Sequence, residues 1–109
     1  MRLQLHSFEQ IKGGSKTIEI RLNDEKRQQI KVGDKIEFSS RAEPKEKILT
    51  KVVDLIHFQT FSELFDVYPL EVFGAKTKEE LMDVYKYYTP EDEKKYSVLG
   101  IKIKYLGTP

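Results

Sequence analysis

The chain has 109 residues, of which 39% are hydrophobic and 34% are charged, and this suffices for one compact domain with a single core. Its 19 basic and 18 acidic residues nearly cancel, so nucleic-acid binding would require a local cluster of positive charge. The absence of cysteine excludes disulfide-linked partners, thiolate metal sites and cysteine nucleophiles. No apolar run is long enough to span a membrane and no apolar signal segment opens the chain. We therefore expect a cytoplasmic protein that folds as a single domain over residues 1–109.

The first part of the chain predicts a short strand and a short helix ahead of a longer strand. Met1 to His6 alternates weakly, and Ser7-Phe8-Glu9-Gln10 has the spacing of a capping box at a helix start. That helix would end at Gly13-Gly14. The segment from Thr17 to Leu22 then alternates apolar and polar residues, as expected for a strand. Ile18, Ile20 and Leu22 share one face, whereas Thr17, Glu19 and Arg21 share the other.

The middle of the chain predicts a β-hairpin. The polar segment 23–29 is typical of a loop or an exposed helical turn, and a turn at Gly33-Asp34 leads into a strand from Lys35 to Ser39. Residues 40–47 have the length of a hairpin loop. A long strand from Ile48 to Phe58 follows. Because apolar residues occur on both faces of its C-terminal half, we expect burial on both sides there, or a bend.

The last part predicts a helical insertion and a closing strand. Thr60 and Thr77 each begin a capping-box spacing, and Thr89-Pro90 is typical of a further helix start. The final strand runs from Tyr96 to Leu106. Strands with mostly short connections and one helical excursion favour a small mixed barrel. The clearest amphipathic pattern, which predicts a buried helix face, consists of Leu81, Val84, Tyr85 and Tyr88.

The candidate ligand-binding residues come from a modest excess of positive charge and from one tyrosine. Between Gln10 and Gly33, six basic residues stand against three acidic ones, and lysine and arginine hold phosphates by charge and by hydrogen bonds. Tyr87 lies off the amphipathic stripe, so we expect it to be exposed and able to stack on an unpaired base. Neither His6 nor His57 has the spacing of a metal ligand, and no metal or other cofactor is predicted.

The pattern Gly14-x-Lys16-Thr17-Ile18-Glu19-x-Arg21, followed by Ile30-x-x-Gly33-Asp34-x-Ile36-x-Phe38, resembles the signature of the ASCH-domain family of the PUA-like superfamily. The resemblance covers nearly the whole chain. It is closest to small stand-alone prokaryotic members that carry RLxDEKRxxIxxGD, which here is RLNDEKRQQIKVGD. It implies an α+β fold, namely a PUA-like mixed β-barrel with a short first helix and a helical insertion before the last strand.

The resemblance also implies a cleft beside the first helix that binds RNA or a nucleotide-like small molecule. On that interpretation, Lys16→Ala and Arg21→Ala should each weaken RNA binding while lowering the melting temperature by no more than a few degrees. Alternatively, Glu19 and Arg21 pair with neighbours in the sheet and Lys16 is a solvated strand end. The residues assigned to the binding site are Lys16, Thr17, Glu19, Arg21, Lys26, Arg27 and Tyr87.

Hydrolysis is the alternative function. Some small members of the family are amidohydrolases that remove an acyl group from a modified cytidine, using a lysine and a threonine on this strand and a later glutamate. Lys16 matches the lysine, but Glu19 occupies the nucleophile position and Gly74-Ala75 lies where the glutamate is expected. Lys16 and Glu19 remain the catalytic candidates, for this reaction or for acid–base cleavage of RNA with Arg21 as the stabilising cation. A third possibility is a protein-interaction module that uses the charged segments 40–47 and 91–95.

Overall fold

The protein is built on a five-stranded sheet and four α-helices, and the computed structural model describes all 109 residues. The strands are β1 (Arg2–Leu3), β2 (Ile18–Leu22), β3 (Lys35–Ser40), β4 (Lys47–Phe58) and β5 (Val98–Gly107). The helices are α1 (Leu5–Lys12), α2 (Phe61–Val67), α3 (Lys78–Met82) and α4 (Pro90–Tyr96). Short 3₁₀ turns occupy Arg27–Gln29, Leu70–Phe73 and Asp83–Lys86.

The sheet curls into a half-barrel. Its strand order is β1-β3-β4-β5-β2, with β1 parallel to β3 and all other neighbours antiparallel. The curl brings the two edge strands close together. Nη2 of Arg21 in β2 donates a hydrogen bond of 3.2 Å to the carbonyl oxygen of Arg2 in β1. The α+β fold with a PUA-like curled sheet, a short first helix and a helical insertion before the last strand is confirmed.

The long strand β4 pairs irregularly with β5 before its C-terminal half, where the sequence predicted burial on both sides or a bend. Its register against β5 shifts between Leu49 and Thr50 and again between Val52 and Asp54, and such bulges bend a strand and increase its twist. After the second shift, Leu55 packs on one side of the sheet and Ile56 on the other. The C-terminal half of β4 therefore follows a bulge and is partly covered on both faces, by Leu55 on one side and Ile56 on the other.

Two apolar clusters lie on opposite sides of the sheet. The cluster inside the curl is closed by α1, whose Phe8 and Ile11 are fully buried against Phe38 of β3 and Ile101 of β5. The second cluster lies beneath the helical insertion between β4 and β5. Ile18 and Leu22 of β2 belong to this second cluster, with Phe61, Leu64, Phe65, Phe73, Ala75, Leu81 and Val98.

Threonine side chains cap three helices of the insertion, as predicted. Thr60 and Thr77 accept hydrogen bonds of 3.1 and 3.2 Å from the backbone N–H groups three residues later. Thr89 does the same for Asp92, whose carboxylate accepts in return from the Thr89 N–H group and completes a capping box. The amphipathic segment after Thr77 forms the short helix α3 and a 3₁₀ turn, and it keeps Leu81 buried.

Two local predictions are wrong. Helix α1 begins at Leu5, directly after the extended residue Gln4, so Ser7 lies within the first turn and caps nothing. The parallel pairing of β1 ends at Leu3, and the chain must turn at once for α1 to cover the interior of the curl. The charged run 91–95, which a protein-interaction module would have to expose, is not wholly exposed either. Glu93 is buried, and its carboxylate accepts hydrogen bonds from the Phe61 N–H group at 2.7 Å and from the Tyr85 hydroxyl at 2.9 Å.

No α-helix of the fold has the length and apolar character that a membrane crossing demands.

Candidate ligand-binding site

A buried group of three charges joins β2 to α1. Nζ of Lys16 lies 3.0 Å from Oε1 of Glu19, and Nη2 of Arg21 lies 3.0 Å from Oε2 of the same carboxylate. The Lys16 ammonium also lies 3.3 Å from the hydroxyl oxygen of Ser7 on α1. Lys16 is 7% exposed and Glu19 is 4% exposed. The interpretation of Lys16 as a solvated strand end is therefore wrong.

The chain leading into β2 explains this burial. Helix α1 ends at a turn in which Gly14 has a φ of +84°, a backbone conformation that glycine adopts without steric cost. The Ser15 and Lys16 N–H groups then donate to the carbonyl oxygen of Gln10, which folds Lys16 back against α1. Because side chains alternate along a strand, Glu19 lies on the face opposite to Ile18, which packs under the insertion. The folded-back Lys16 meets Glu19 on this inner face. The polar face of β2 is thus an inner face.

The ion pairs outweigh the cost of burying the carboxylate. Burial opposes ionisation of Glu19, but the Lys16 and Arg21 charges and the hydrogen bonds from Lys16 and the Ile20 N–H group place the pKa of Glu19 below its usual value. Burial likewise opposes the charged form of Arg21, yet Glu19 and Tyr88 raise the pKa of Arg21. The Glu19 carboxylate is therefore the counter-charge of both Lys16 and Arg21.

This pKa shift predicts a loss of stability in acid. A carboxyl whose pKa is depressed on folding contributes stability that is fully present above its unfolded pKa, near 4.5 for Glu19, and is lost as the pH falls below 4.5 through the folded pKa. We expect the free energy of unfolding, measured by urea titration at pH 7, 5, 4 and 3, to fall most steeply below pH 4.5. In Glu19→Gln that fall should be smaller. An equal fall in both proteins would contradict the assignment.

A cleft of about 480 Å³ lies between α1 and the helical insertion. Its first side consists of β1 and α1 residues, together with Arg41 after β3, and its floor contains Glu19, Ile20 and Arg21 from β2. Its second side is formed by the insertion from Phe73 to Tyr88. The volume falls within the range of pockets that hold small-molecule ligands.

The structure brings three of the predicted site residues to this cleft. Glu19 and Arg21 form part of its floor, and Tyr87 lines the opposite side with 70% of its surface exposed, as the sequence pattern predicted. Lys16 lies behind Glu19 and does not line the cleft. Lys16 therefore contacts Glu19 and does not face the interior of the cleft.

The other three predicted residues lie away from the cleft. Thr17 is exposed, and its backbone is held by hydrogen bonds to Val72 and Ile103. Arg27 pairs with Asp24 at 3.5 Å, and Lys26 is exposed on the same segment. Lys26 and Arg27 lie near the N-terminal amino group, whose pKa is lowered by burial and by the charges of Arg21, Lys26 and Arg27. They extend the positive charge around β1 without lining the cleft.

Four charged residues of the cleft were missed by the sequence analysis. Arg2 and Arg41 lie on the first side, and Glu80 and Asp83 lie on the second. Arg2 and Arg41 come together only because β1 pairs in parallel with β3, and no local pattern signals that pairing. Glu80 and Asp83 belong to segments that were interpreted only as helix.

One contact fixes the distance between the two sides of the cleft. Nε2 of Gln10 on α1 donates a hydrogen bond of 2.6 Å to the carbonyl oxygen of Gly74 in the insertion. Gly74 has a φ of +80°, and a Cβ atom at this position would collide with Oε1 of Gln10. The segment Gly74-Ala75, where the family's glutamate was expected, thus lies in the cleft but supplies backbone and a methyl group. No cluster of three or more histidine, aspartate or glutamate side chains is arranged to hold a metal ion.

Comparisons with known proteins agree with this fold. The sequence profile of the ASCH domain matches residues 1–106. The crystal structure of the hypothetical protein PH0355 is 36% identical in sequence, with 97% of this chain and 96% of that chain aligned and a TM-score of 0.82. The solution NMR structure of protein PF0455 from Pyrococcus furiosus is 39% identical, with 97% and 94% aligned and a TM-score of 0.73.

A more distant structure shows the same fold. It is a serine-to-alanine variant of the ZmASCH protein from Zymomonas mobilis, which is 14% identical and has a TM-score of 0.71. The alignment covers all of this chain and 68% of the ZmASCH chain. No curated protein matches the sequence.

Proposed function

The chain belongs to the ASCH-domain family, which is associated with RNA binding, and on that premise we propose that the cleft between α1 and the helical insertion binds RNA or a nucleotide-like ligand. The observation that carries the proposal is the meeting of a guanidinium and an exposed aromatic ring in one cleft, namely Arg21 on the floor and Tyr87 on the second side.

Arg21 is held in a fixed position by groups from three elements. Nη2 donates hydrogen bonds to Glu19 and to the carbonyl oxygen of Arg2, and Tyr88 of the insertion also stabilises the charged form of the guanidinium and raises its pKa. A guanidinium that is already ordered loses little conformational freedom when it binds a phosphate or a base. Lys16 supports this arrangement by sharing the Glu19 carboxylate. We therefore propose a positioning role for Lys16 and Glu19 and a ligand-binding role for Arg21.

Tyr87 provides the most direct test. Stacking of a base on an aromatic side chain contributes about 1–3 kcal/mol, so Tyr87→Ala should weaken binding of a short single-stranded RNA roughly 5- to 150-fold. Tyr87→Phe keeps the ring and should bind within about twofold of wild type on the same grounds. Val67→Ala, at an exposed residue of α2 outside the cleft, serves as the control. Equal affinities for wild type and Tyr87→Ala, in fluorescence titrations at one salt concentration, would contradict the proposal.

A second candidate function is favoured by one contact, that between Ser7 and Lys16. A hydrolase mechanism needs a nucleophilic hydroxyl, and Glu19 occupies the position on β2 where the sequence analysis expected one. The Ser7 hydroxyl of α1, however, lines the cleft 3.3 Å from the Lys16 ammonium nitrogen. The Lys16 ammonium can relay a proton, because it can give one proton to the departing amine nitrogen while it takes the hydroxyl proton of Ser7 as the serine oxygen attacks the acyl carbon. The carbon–nitrogen bond of the amide would break, the acyl group would pass to Ser7, and water would then free the acid and restore the hydroxyl. Glu19 would hold Lys16 in place throughout.

An assay with an acylated cytidine separates this candidate from binding alone. Wild type should release cytidine and the free acid, whereas Ser7→Ala should release neither and still bind the nucleoside. Ser15→Ala is the matched control, because Ser15 is exposed and lies outside the cleft. Absence of product with wild type, or equal rates for wild type and Ser7→Ala, would exclude Ser7 as a nucleophile and would leave the binding function intact.

A further inference from the structure

The charged residues of the cleft are separated by sign. The side formed by β1 and β3 carries the guanidinium groups of Arg2 and Arg41, whereas the insertion carries the carboxylates of Glu80 and Asp83. Tyr87 lies on the carboxylate side. A ligand that satisfies both sides must itself have an anionic end and an end that donates hydrogen bonds.

The arginine side follows from the pairing of β1 with β3. Arg2 is in register with Ser39, and the Arg41 N–H group donates a hydrogen bond of 2.9 Å to the carbonyl oxygen of Leu3. This pairing places Arg2 and Arg41 close together at the C-terminal end of β3. Both are exposed and neither forms an ion pair with a carboxylate. Arg21 is bonded to the Arg2 backbone, so a third guanidinium lies beside them.

The carboxylate side retains unused acceptors. One oxygen of Glu80 accepts from the Lys76 N–H group at 3.3 Å, and one oxygen of Asp83 lies 3.3 Å from Nζ of Lys86. The second oxygen of each carboxylate makes no hydrogen bond or ion pair within the protein. These oxygens would repel a phosphate, and they would accept a hydrogen bond from the amino group of a base.

We propose that the cleft binds a phosphorylated nucleoside in one orientation, with the phosphate at Arg2 and Arg41 and with a base that carries an exocyclic amino group at Glu80 and Asp83. This inference rests on the proposed binding function and adds the orientation and the chemical class of the ligand. Adenine, cytosine and guanine fit this class, whereas uracil and hypoxanthine present a carbonyl oxygen where an amino group would be. The same chemistry is present in a free nucleotide and in one residue of an RNA strand.

The phosphate end is tested by comparing cytidine with CMP. Calorimetric titrations should give wild type an affinity for CMP about tenfold or more above that for cytidine, since charge-assisted hydrogen bonds to two guanidinium groups are made only by CMP. Arg2→Gln with Arg41→Gln should remove this preference by lowering the affinity for CMP to about that for cytidine, and the variant should keep the contact of Arg21 because Arg21 bonds to the Arg2 backbone rather than to its side chain. Lys45→Gln with Lys51→Gln changes the net charge equally at exposed residues outside the cleft and should keep the preference.

The base end is tested with pairs of nucleotides that differ only in one amino group. CMP should bind about tenfold more tightly than UMP, and AMP more tightly than IMP, because a carboxylate accepts from an amino group and is unfavourable next to a carbonyl oxygen. Glu80→Ala with Asp83→Ala should reduce both ratios towards one. Glu79→Ala with Glu91→Ala, at two exposed residues outside the cleft, should leave the ratios unchanged.

The outcomes separate the orientation from the binding function. Equal affinity of wild type for cytidine, CMP and UMP would overturn the orientation and leave the binding function standing. Failure of every nucleoside, nucleotide and single-stranded RNA to bind would overturn both. Tighter binding of a cytidine-containing trinucleotide than of CMP would identify a strand of RNA as the source of the nucleotide, and equal binding would identify a free nucleotide. Either of those results supports the orientation if the arginine variant loses the preference for phosphate.

Discussion

Replacing Glu19 with alanine is expected to reduce the free energy of unfolding by about 3–5 kcal/mol, the range observed when one partner of a buried ion pair is removed. Lys16 and Arg21 both lie 3.0 Å from this carboxylate, so its loss would leave the buried Lys16 and the largely buried Arg21 without a counter-charge. The total stability of a domain of this size is about 5–15 kcal/mol. Urea denaturation followed by circular dichroism would measure this difference in the free energy of unfolding. On heating, the variant should begin to unfold at a lower temperature than wild type.

Two controls separate the effect of burial from that of charge. Glu37 pairs with Lys47 at 3.2 Å, but both side chains are nearly half exposed, so Glu37→Ala should change stability by no more than about 1 kcal/mol. The double variant Lys16→Met with Glu19→Gln should lose less stability than the sum of its single variants, since it removes a cation together with its partner. If Glu19→Ala is as stable as Glu37→Ala, the three charges are not buried as described.

The same burial changes the expected result of Lys16→Ala. The sequence pattern alone predicted a fall of only a few degrees in melting temperature. Because the Lys16 ammonium is buried between Glu19 and Ser7, its removal should destabilise the protein by more than that. Binding experiments on the site are therefore better made with Tyr87, Arg2 or Arg41, whose side chains are exposed.

Replacing Gly74 with alanine is expected to cost about 2–4 kcal/mol, which combines backbone strain at a positive φ with the loss of one hydrogen bond. The new Cβ atom would displace the Gln10 amide group and so break its 2.6 Å bond to the Gly74 carbonyl. Since this bond connects α1 to the insertion, the variant should also bind RNA more weakly. Thermal unfolding and RNA titration would measure the two effects.

Gly33 and Gln10 supply the controls for this prediction. Gly33 has a similar positive φ of +96° but no atom near the position of a Cβ, so Gly33→Ala should show only the strain, about 1–2 kcal/mol, and unchanged binding. Gln10→Ala removes the hydrogen bond without backbone strain, so it should show the part of the Gly74→Ala destabilisation that is due to the hydrogen bond. A Gly74→Ala variant no less stable than Gly33→Ala would mean that the Gln10 contact contributes little.

The elements that could be predicted from the sequence are those specified by local chemistry. A threonine three residues before an acidic residue caps its own helix whatever the surrounding fold, and Thr60, Thr77 and Thr89 do so. The alternation of Ile101 and Ile103 with Lys102 and Lys104 in β5 is likewise a local signal, and both isoleucines are buried. Ser7 failed as a cap because the pairing of β1 with a distant strand, rather than a local signal, determines where α1 begins.

The site could be predicted only in part, because its geometry depends on the curl of the sheet. Alternation correctly separated Glu19 and Arg21 from Ile18, but it does not show which face of β2 is inside. The approach of β1 and β2 turns the polar face inward and buries Glu19. The same approach brings Arg2 next to Arg21, although 19 positions separate them in the chain. Long-range pairing of this kind leaves no periodic signal in the sequence.

The most direct test of the central claim is a titration of ¹⁵N-labelled protein with a short single-stranded RNA at fixed salt, followed by NMR. If the cleft between α1 and the insertion is the binding site, the amide signals that shift should belong to residues around it, including His6, Arg21, Gly74, Glu80 and Tyr87. The signals of the β3–β4 loop beyond Arg41 should remain in place. Shifts concentrated in residues 42–47, or no shifts at millimolar RNA, would contradict the assignment of the cleft as an RNA or nucleotide site.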